Sequence, residues 1–103
     1  LLYGIMPTVL HIYEPEFAVS NIFYLAQSET FVARSTESKL YLLKVYVKMD
    51  SFVVSTIAII NQTEHVLCCL ELERSRLLAT GGLGGNIKVW DIQKKVPEFL
   101  ITL

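Results

Sequence analysis

Three side chains that could bind a metal lie close together in this 103-residue chain: His65, Cys68 and Cys69. A structural zinc site needs four ligands at suitable spacings. Outside this segment the sequence has one further imidazole, His11, and no further thiol. We therefore predict no metal site, and we interpret both cysteines as small core residues.

The adjacent cysteines also bear on the compartment. Neighbouring residues of a strand point to opposite faces, so a disulfide between Cys68 and Cys69 would be strained. With no other thiol, the chain has no disulfide framework. We expect an intracellular, cytoplasmic location, where thiols stay reduced.

Residues 81–85 include four glycines, which is the composition of a phosphate-binding loop. No Lys-Ser or Lys-Thr pair follows them, and residues 86–92 have the pattern of a strand, so no helix N-terminus is predicted to hold an anion. Gly84 and Gly85 can instead adopt the positive φ angles of a tight hairpin turn. We predict a hairpin here and no nucleotide or other cofactor.

Ser75, His65 and Glu71 could be combined on paper into a hydrolytic triad. No nucleophile elbow or other local motif surrounds the serine. The sequence therefore gives no positive indication of catalysis, and we expect the protein not to be an enzyme.

Charge and hydropathy exclude two classes of partner. Nine basic and ten acidic residues leave a net charge of −1, whereas nucleic-acid binders usually carry a clustered basic excess. The longest apolar run, residues 52–60, is about half the length of a membrane helix. We expect neither nucleic acid binding nor a membrane span.

Hydrophobic residues make up 52% of the chain and charged residues only 18%, against a usual 45–50% and about a quarter. That is more apolar surface than a small domain readily buries. Because the chain also begins with Leu instead of Met, we expect it to be a fragment whose apolar surface other structure covers.

Apolar residues occur in short bursts separated by turn-forming residues, which is typical of an all-β protein. The predicted strands are residues 5–13, 20–25, 31–34, 40–47, 52–60, 65–72, 77–81, 86–92 and 99–103. Sliding the chain by 47 residues places strand on strand without a gap, with residues 52–56 on 99–103. Identities are few, so this predicted repeat depends on the spacing of the strands.

Residues 77–92 carry the most specific motif: a strand of small residues, a tight turn, and an apolar strand that ends in Trp90-Asp91. They resemble the second and third strands of a WD-repeat blade, and residues 67–72 resemble the inner strand of that blade. The resemblance implies a partial WD-repeat β-propeller of antiparallel four-stranded blades.

In this family a His, a Ser or Thr, a turn Asp and the Trp are often linked by hydrogen bonds. Thr80 and Trp90 match that pattern, and the resemblance implies structural roles for Asp91, Gly84 and Gly85 as well. Gly84 stands in place of the turn Asp, however, and the Gly-His pair expected near residues 62–63 is missing.

The first repeat departs further, since Leu43 and Lys44 replace the Trp-Asp pair. We expect this degenerate blade to depend on apolar packing between blades.

The family pattern divides the chain into an outer strand of a preceding blade (1–13), a first, degenerate repeat (14–60) and a second repeat (61–103). Propellers have at least about four blades, so the remaining blades must come from missing sequence or from other copies.

Family members bind partners through the loops before the inner strand and between the second and third strands. The corresponding segments here are 14–17, 35–38, 61–64 and 83–85, and the candidate partner-binding residues are Phe17, Glu37 and Glu64.

The resemblance implies a non-catalytic scaffold that mediates protein–protein interaction within a larger protein or complex. Two alternatives are a structural component of a large assembly, such as a filament, coat or axoneme-like lattice, and an accessory propeller module of a larger enzyme. A further rival is an unrelated all-β enzyme or sandwich domain in which Trp90-Asp91 is accidental.

Overall fold

The computed structural model describes residues 12–61, 65–72, 77–94 and 96–103. Most of the predicted first strand (5–13) lies outside this range, as do Glu64 and Ser75.

The described residues form eight strands and no helix, which confirms the all-β prediction. Each strand begins and ends within one residue of its predicted bounds. They are β1 (Val19–Leu25), β2 (Thr30–Ser35), β3 (Leu40–Lys48), β4 (Ser51–Ile60), β5 (Val66–Leu72), β6 (Leu77–Gly82), β7 (Ile87–Asp91) and β8 (Glu98–Thr102). Within this part of the chain no helix could cross a membrane.

The strands pair into two separate antiparallel sheets. The first sheet has the order β1-β2-β3-β4 and the second sheet has the order β5-β6-β7-β8. Within each sheet, every strand is therefore paired with its neighbours in sequence, as short hairpin connections favour.

The two sheets are structural repeats at a spacing of 47 residues. Leu25 pairs with Thr30 in the first sheet, and Leu72 pairs with Leu77 in the second. The register shift between Val19 and Asn21 recurs between residues 66 and 68. A second shift, between residues 42 and 43, recurs between residues 89 and 90. Because such bulges are specific local features, their recurrence supports the repeat independently of strand spacing.

The fourth strand breaks this spacing, so the gap-free alignment of residues 52–56 with 99–103 is wrong. Leu43 pairs with Thr56, whereas Trp90 at the equivalent position pairs with Phe99. Phe99 therefore corresponds to Thr56 and not to Phe52. The second repeat is four residues shorter at this point because the β3–β4 hairpin is longer than the β7–β8 connection.

The extra length of the first repeat forms a two-stranded ribbon. β2 pairs with residues 40–43 of β3, while residues 45–48 pair with residues 51–54 of β4. Met49 and Asp50 close the ribbon, both with positive φ, as a two-residue hairpin turn requires.

The hydrophobic core lies between the two sheets. Alternation along each strand directs every second side chain to this side. The buried cluster consists of Leu25, Val32, Leu40, Leu42, Ala58 and Ile60 of the first sheet with Val66 and Leu78 of the second. Partly buried Phe23, Cys69, Trp90 and Ile92 pack against it. Each fully buried aliphatic side chain stabilises the fold by roughly 1.5–3 kcal/mol.

Candidate functional site

Thr80 and Trp90 contact each other across β6 and β7. The indole Nε1 of Trp90 donates a hydrogen bond to Thr80 Oγ1 at 3.3 Å. Thr80 is buried, and the Trp90 ring packs edge-to-face on Phe99 of β8. The pair therefore joins three strands of the second sheet, which is a structural arrangement and leaves neither polar group open to a substrate.

Asp91 ends β7 and is buried, and its carboxylate accepts a hydrogen bond from the backbone N–H of Gln93 at 3.1 Å. Carboxylates of Asp commonly fix a turn in this way. Its position organises the exit of the chain from the strand.

The tight turns of both repeats have the same hydrogen bonds. The N–H of Gly85 donates to the carbonyl of Gly82, and the N–H of Ser38 donates to the carbonyl of Ser35. Gly85 has a φ of +84° and Ser38 a φ of +68°. Gly84 is exposed beside Gly85 in its turn but does not have a positive φ, so the positive φ expected at both glycines is found at Gly85 alone. The first repeat thus places a serine where the left-handed backbone favours glycine.

We call the end of the molecule that holds these two turns the loop end. There the N–H of Thr36 donates to the carbonyl of Ala18, and the N–H of Leu83 donates to the carbonyl of His65. In addition, Ser38 Oγ lies 3.3 Å from His65 Nδ1, which links the turn of the first sheet to the start of the second. The sequence predicted four loops as partner-binding segments. Their described residues therefore lie at the same end of the molecule.

The candidate partner-binding residues differ in accessibility. Glu37 is exposed in the β2–β3 turn. Phe17 is partly buried because its ring stacks on Tyr41 of β3, with centroids 3.8 Å apart and planes at 9°. Glu64 lies outside the described residues.

A second polar link joins the sheets at the opposite end. The Glu71 carboxylate of β5 accepts hydrogen bonds from the backbone N–H groups of Gln27, at 2.8 Å, and Ser28, at 3.0 Å. Lys44 Nζ donates to the carbonyl of Ser28 at 2.8 Å. Sequence reasoning missed the role of Glu71, because only the stacking of the sheets brings β5 to the β1–β2 turn.

A third link lies next to the Ser38–His65 contact, at the start of β5. Arg34 of β2 donates from its guanidinium to the carbonyl of Val66 at 2.9 Å. Its guanidinium also donates from Nε to Ser20 Oγ at 2.8 Å. A long cationic side chain on a half-buried strand is a recognisable sign of such a role, since its burial requires partners.

Of the hydrolytic triad drawn from the sequence, Ser75 lies outside the described residues, and the other two members are not close together. His65 and Glu71 stand at the two ends of β5, about 20 Å apart at roughly 3.3 Å per residue, and Glu71 is engaged by backbone N–H groups. Within the described ranges, no group of three or more metal-ligating side chains converges. Burial, and secondarily the charge of Cys68, raises the pKa of Cys69 to about 12, so its thiol is unsuited to nucleophilic chemistry.

The side of the first sheet that turns away from the second sheet forms an apolar groove of about 540 Å³, which we call the outer groove. Its lining includes no charged residue. The residues on this surface are Val19, Ile22, Phe31, Ala33, Leu43, Val45, Phe52 and Val54, with Tyr13 and Pro15. Ile22 is 62% exposed.

The side of the second sheet that turns away from the first sheet also carries exposed apolar side chains among the described residues, and we call it the far face. It is defined by a row that crosses all four strands through register pairs: Leu70, Ala79, Val89 and Ile101. Leu70 is 61% exposed and Ile101 51%, whereas Val89 between them is buried, at 8%. The molecule therefore has an apolar surface on the outer side of each sheet: the outer groove on the first sheet and the far face on the second.

Comparison of the chain with protein-family models, curated proteins and solved structures found no match in any of the three.

Proposed function

We propose that the chain is a non-catalytic scaffold segment of the WD-repeat kind that binds another protein through its loop end. The observation that carries the proposal is the tandem geometry: two stacked sheets with the same bulges and, over their first three strands, the same register, whose β2–β3 and β6–β7 turns lie at one end. Rigid scaffolds that present a cluster of loops are a common basis for recognition.

Three features favour this end of the molecule as the binding surface. The turns are fixed by backbone hydrogen bonds to residues 18 and 65. The Ser38–His65 contact ties the loops of the two sheets together. Exposed Glu37 and Leu83 project from neighbouring turns, so a partner that contacts both must combine an apolar group with a cation or hydrogen-bond donor.

Paired charge reversals at the two ends test the proposal. Glu37→Lys changes the loop end, and Glu29→Lys makes the same change in the exposed β1–β2 turn at the opposite end. Proteins captured by the wild-type chain from the source cells are purified, and their Kd values for both variants are measured. We expect Glu37→Lys to weaken binding about tenfold, the scale of an important interface residue.

Glu29→Lys serves as the matched control and should leave the Kd within about twofold. Equal weakening by both variants would point to a general charge effect, and no weakening by Glu37→Lys or Leu83→Asp would remove the loop end as the binding surface. Either result contradicts the proposal.

A structural role in a large assembly is a second candidate, favoured by the outer groove and the far face. Contiguous exposed apolar surface is unusual for a free monomer. This role predicts association of the isolated chain, whereas a chain that remains a cooperatively folded monomer contradicts it.

A further inference from the structure

We propose that copies of this chain associate head to tail, with the far face of one copy packed in the outer groove of the next. The inference rests on the repeat architecture of the proposed function but not on the loop end, so the two can fail separately.

The outer groove repeats the surface with which the second sheet already contacts the first. Five residues of the second sheet belong to the core cluster or pack against it. For each of these five residues, the residue that precedes it by 47 positions in the sequence lines the outer groove. The pairs are Val66 with Val19, Cys69 with Ile22, Leu78 with Phe31, Trp90 with Leu43, and Ile92 with Val45.

The far face repeats the opposite half of the same interface. Leu25, Val32 and Leu42 of the first sheet are buried against the second sheet. Their equivalents by register are Leu72, Ala79 and Val89. The outer groove and the far face thus repeat the two complementary halves of the interface between the chain's own two sheets.

A second copy of the chain is the occupant whose matching surface the described residues themselves supply. The two surfaces differ from each other, so the contact is heterologous, and one copy bound by another still leaves a free surface at each end. Such contacts give a closed ring or an open filament. If the sheets fan out as propeller blades do, closure takes roughly two to four copies of two sheets each.

The apolar part of the interface between the two sheets recurs on the outer groove and the far face, but the polar links of that interface do not. Tyr24 occupies the position equivalent to Glu71, and Ala18 occupies that of His65. In the second sheet, Gly85 occupies the position equivalent to Ser38. Association between copies therefore depends on apolar burial and should change little with salt concentration.

Single charges placed on each surface provide the test. Ile22→Asp introduces a carboxylate into the outer groove, and Leu70→Asp introduces one into the far face. Both residues are more than half exposed, so the substitutions leave the core between the sheets in place. Met49→Asp, in the 94% exposed ribbon turn, adds the same charge away from both surfaces and is the matched control.

Sedimentation velocity of the full chain gives the oligomeric states. We expect the wild-type chain and Met49→Asp to form oligomers, and Ile22→Asp and Leu70→Asp each to be monomeric alone. An equimolar mixture of the two monomeric variants should form a dimer and nothing larger, since the mixture holds one intact copy of each surface. Val45→Asp and Ile101→Asp repeat the pair at independent positions, with circular dichroism to confirm folding.

Three results would overturn the inference. One is a wild-type chain that stays a folded monomer at the highest concentration reached. Another is dimerisation of one single-surface variant alone, which would show that like surfaces pair. The third is a mixture that remains monomeric. If the wild-type chain precipitates, each variant alone should restore solubility, and failure of both pairs to do so counts against the inference.

Discussion

Ser38 and Gly85 occupy the same position in the tight turns of the two repeats, both with positive φ, but only Ser38 contacts the next sheet. Its Oγ lies 3.3 Å from Nδ1 of His65, and its side chain is buried. A non-glycine residue in the left-handed region costs of order 1 kcal/mol or more. The hydroxyl contact offsets that cost in the first repeat, whereas glycine avoids it in the second.

Substitution of Ser38 separates the contact from the backbone strain. Ser38→Ala should lower the free energy of unfolding by about 1 kcal/mol, because the contact is lost and the strain remains. Ser38→Gly should lower it less, since the strain is also relieved. Urea unfolding measures both, and Gly85→Ala, expected to cost about 1 kcal/mol, is the control. A larger loss for Ser38→Gly than for Ser38→Ala would show that the turn is unstrained.

Trp90 is the largest side chain that packs against the core cluster from the second sheet. Trp90→Ala should lower the free energy of unfolding by about 3–5 kcal/mol, because the ring loses its contacts with the core and with Phe99. Thr80→Val removes only the acceptor of the indole N–H and should cost about 1–3 kcal/mol. Thermal or urea unfolding provides the comparison. An insensitive Trp90 would favour an unrelated all-β domain in which Trp90-Asp91 has no structural role.

Glu71 caps the β1–β2 turn of the other sheet with its carboxylate. Glu71→Ala should lower the free energy of unfolding by about 1.5–3 kcal/mol, because two backbone N–H groups lose a charged acceptor. Glu29→Ala, in the same turn but exposed, should change it by less than about 0.5 kcal/mol. Equal effects of the two substitutions in urea unfolding would exclude a bracing role for Glu71.

The two adjacent cysteines should differ in reactivity. Burial, with a smaller effect of Cys68, raises the pKa of the Cys69 thiol from its usual 9.0 to about 12, while Cys68 is exposed. At pH 9 only about one Cys69 in a thousand is then a thiolate. Iodoacetamide should therefore alkylate Cys68 first, and Cys69 only after unfolding, as peptide mass spectrometry would show.

The sign of the accompanying stability effect follows from the raised pKa. Folding favours the protonated Cys69, so its contribution is complete below pH 9 and is lost as the pH rises from 9 towards 12. Alkylation of Cys69 in the native chain at the rate of Cys68 would contradict its burial.

The strands and the first three-quarters of each repeat were predictable because both depend on local pattern. Burial at every second residue defines strands such as β3, and the 47-residue spacing correctly relates Leu43 to Trp90. The fourth strand was not predictable in this way. Its register depends on the length of the preceding hairpin. An ungapped comparison of the two repeats cannot detect that the β3–β4 hairpin, closed by Met49 and Asp50, is longer than the β7–β8 connection.

The links between the sheets were also out of reach of the sequence. Glu71 reaches the β1–β2 turn, and Arg34 reaches the carbonyl of Val66, only once the sheets are stacked. His65 was considered as a metal ligand, and its contact with Ser38 depends on a turn conformation that serine rarely adopts. Side-chain partners 27 to 44 residues apart carry no local pattern from which they could be inferred.

The ribbon formed by residues 45–48 and 51–54 has a consequence for how the molecule opens. Among the residues that the structure describes, its two strands pair only with each other, so the amides there depend on fewer neighbours than those of residues 40–43. We expect the ribbon to fray while both sheets remain intact, and deuterium to enter its backbone ahead of the remaining strands in hydrogen exchange. The molecule should thus begin to unfold at the tip of its longest hairpin.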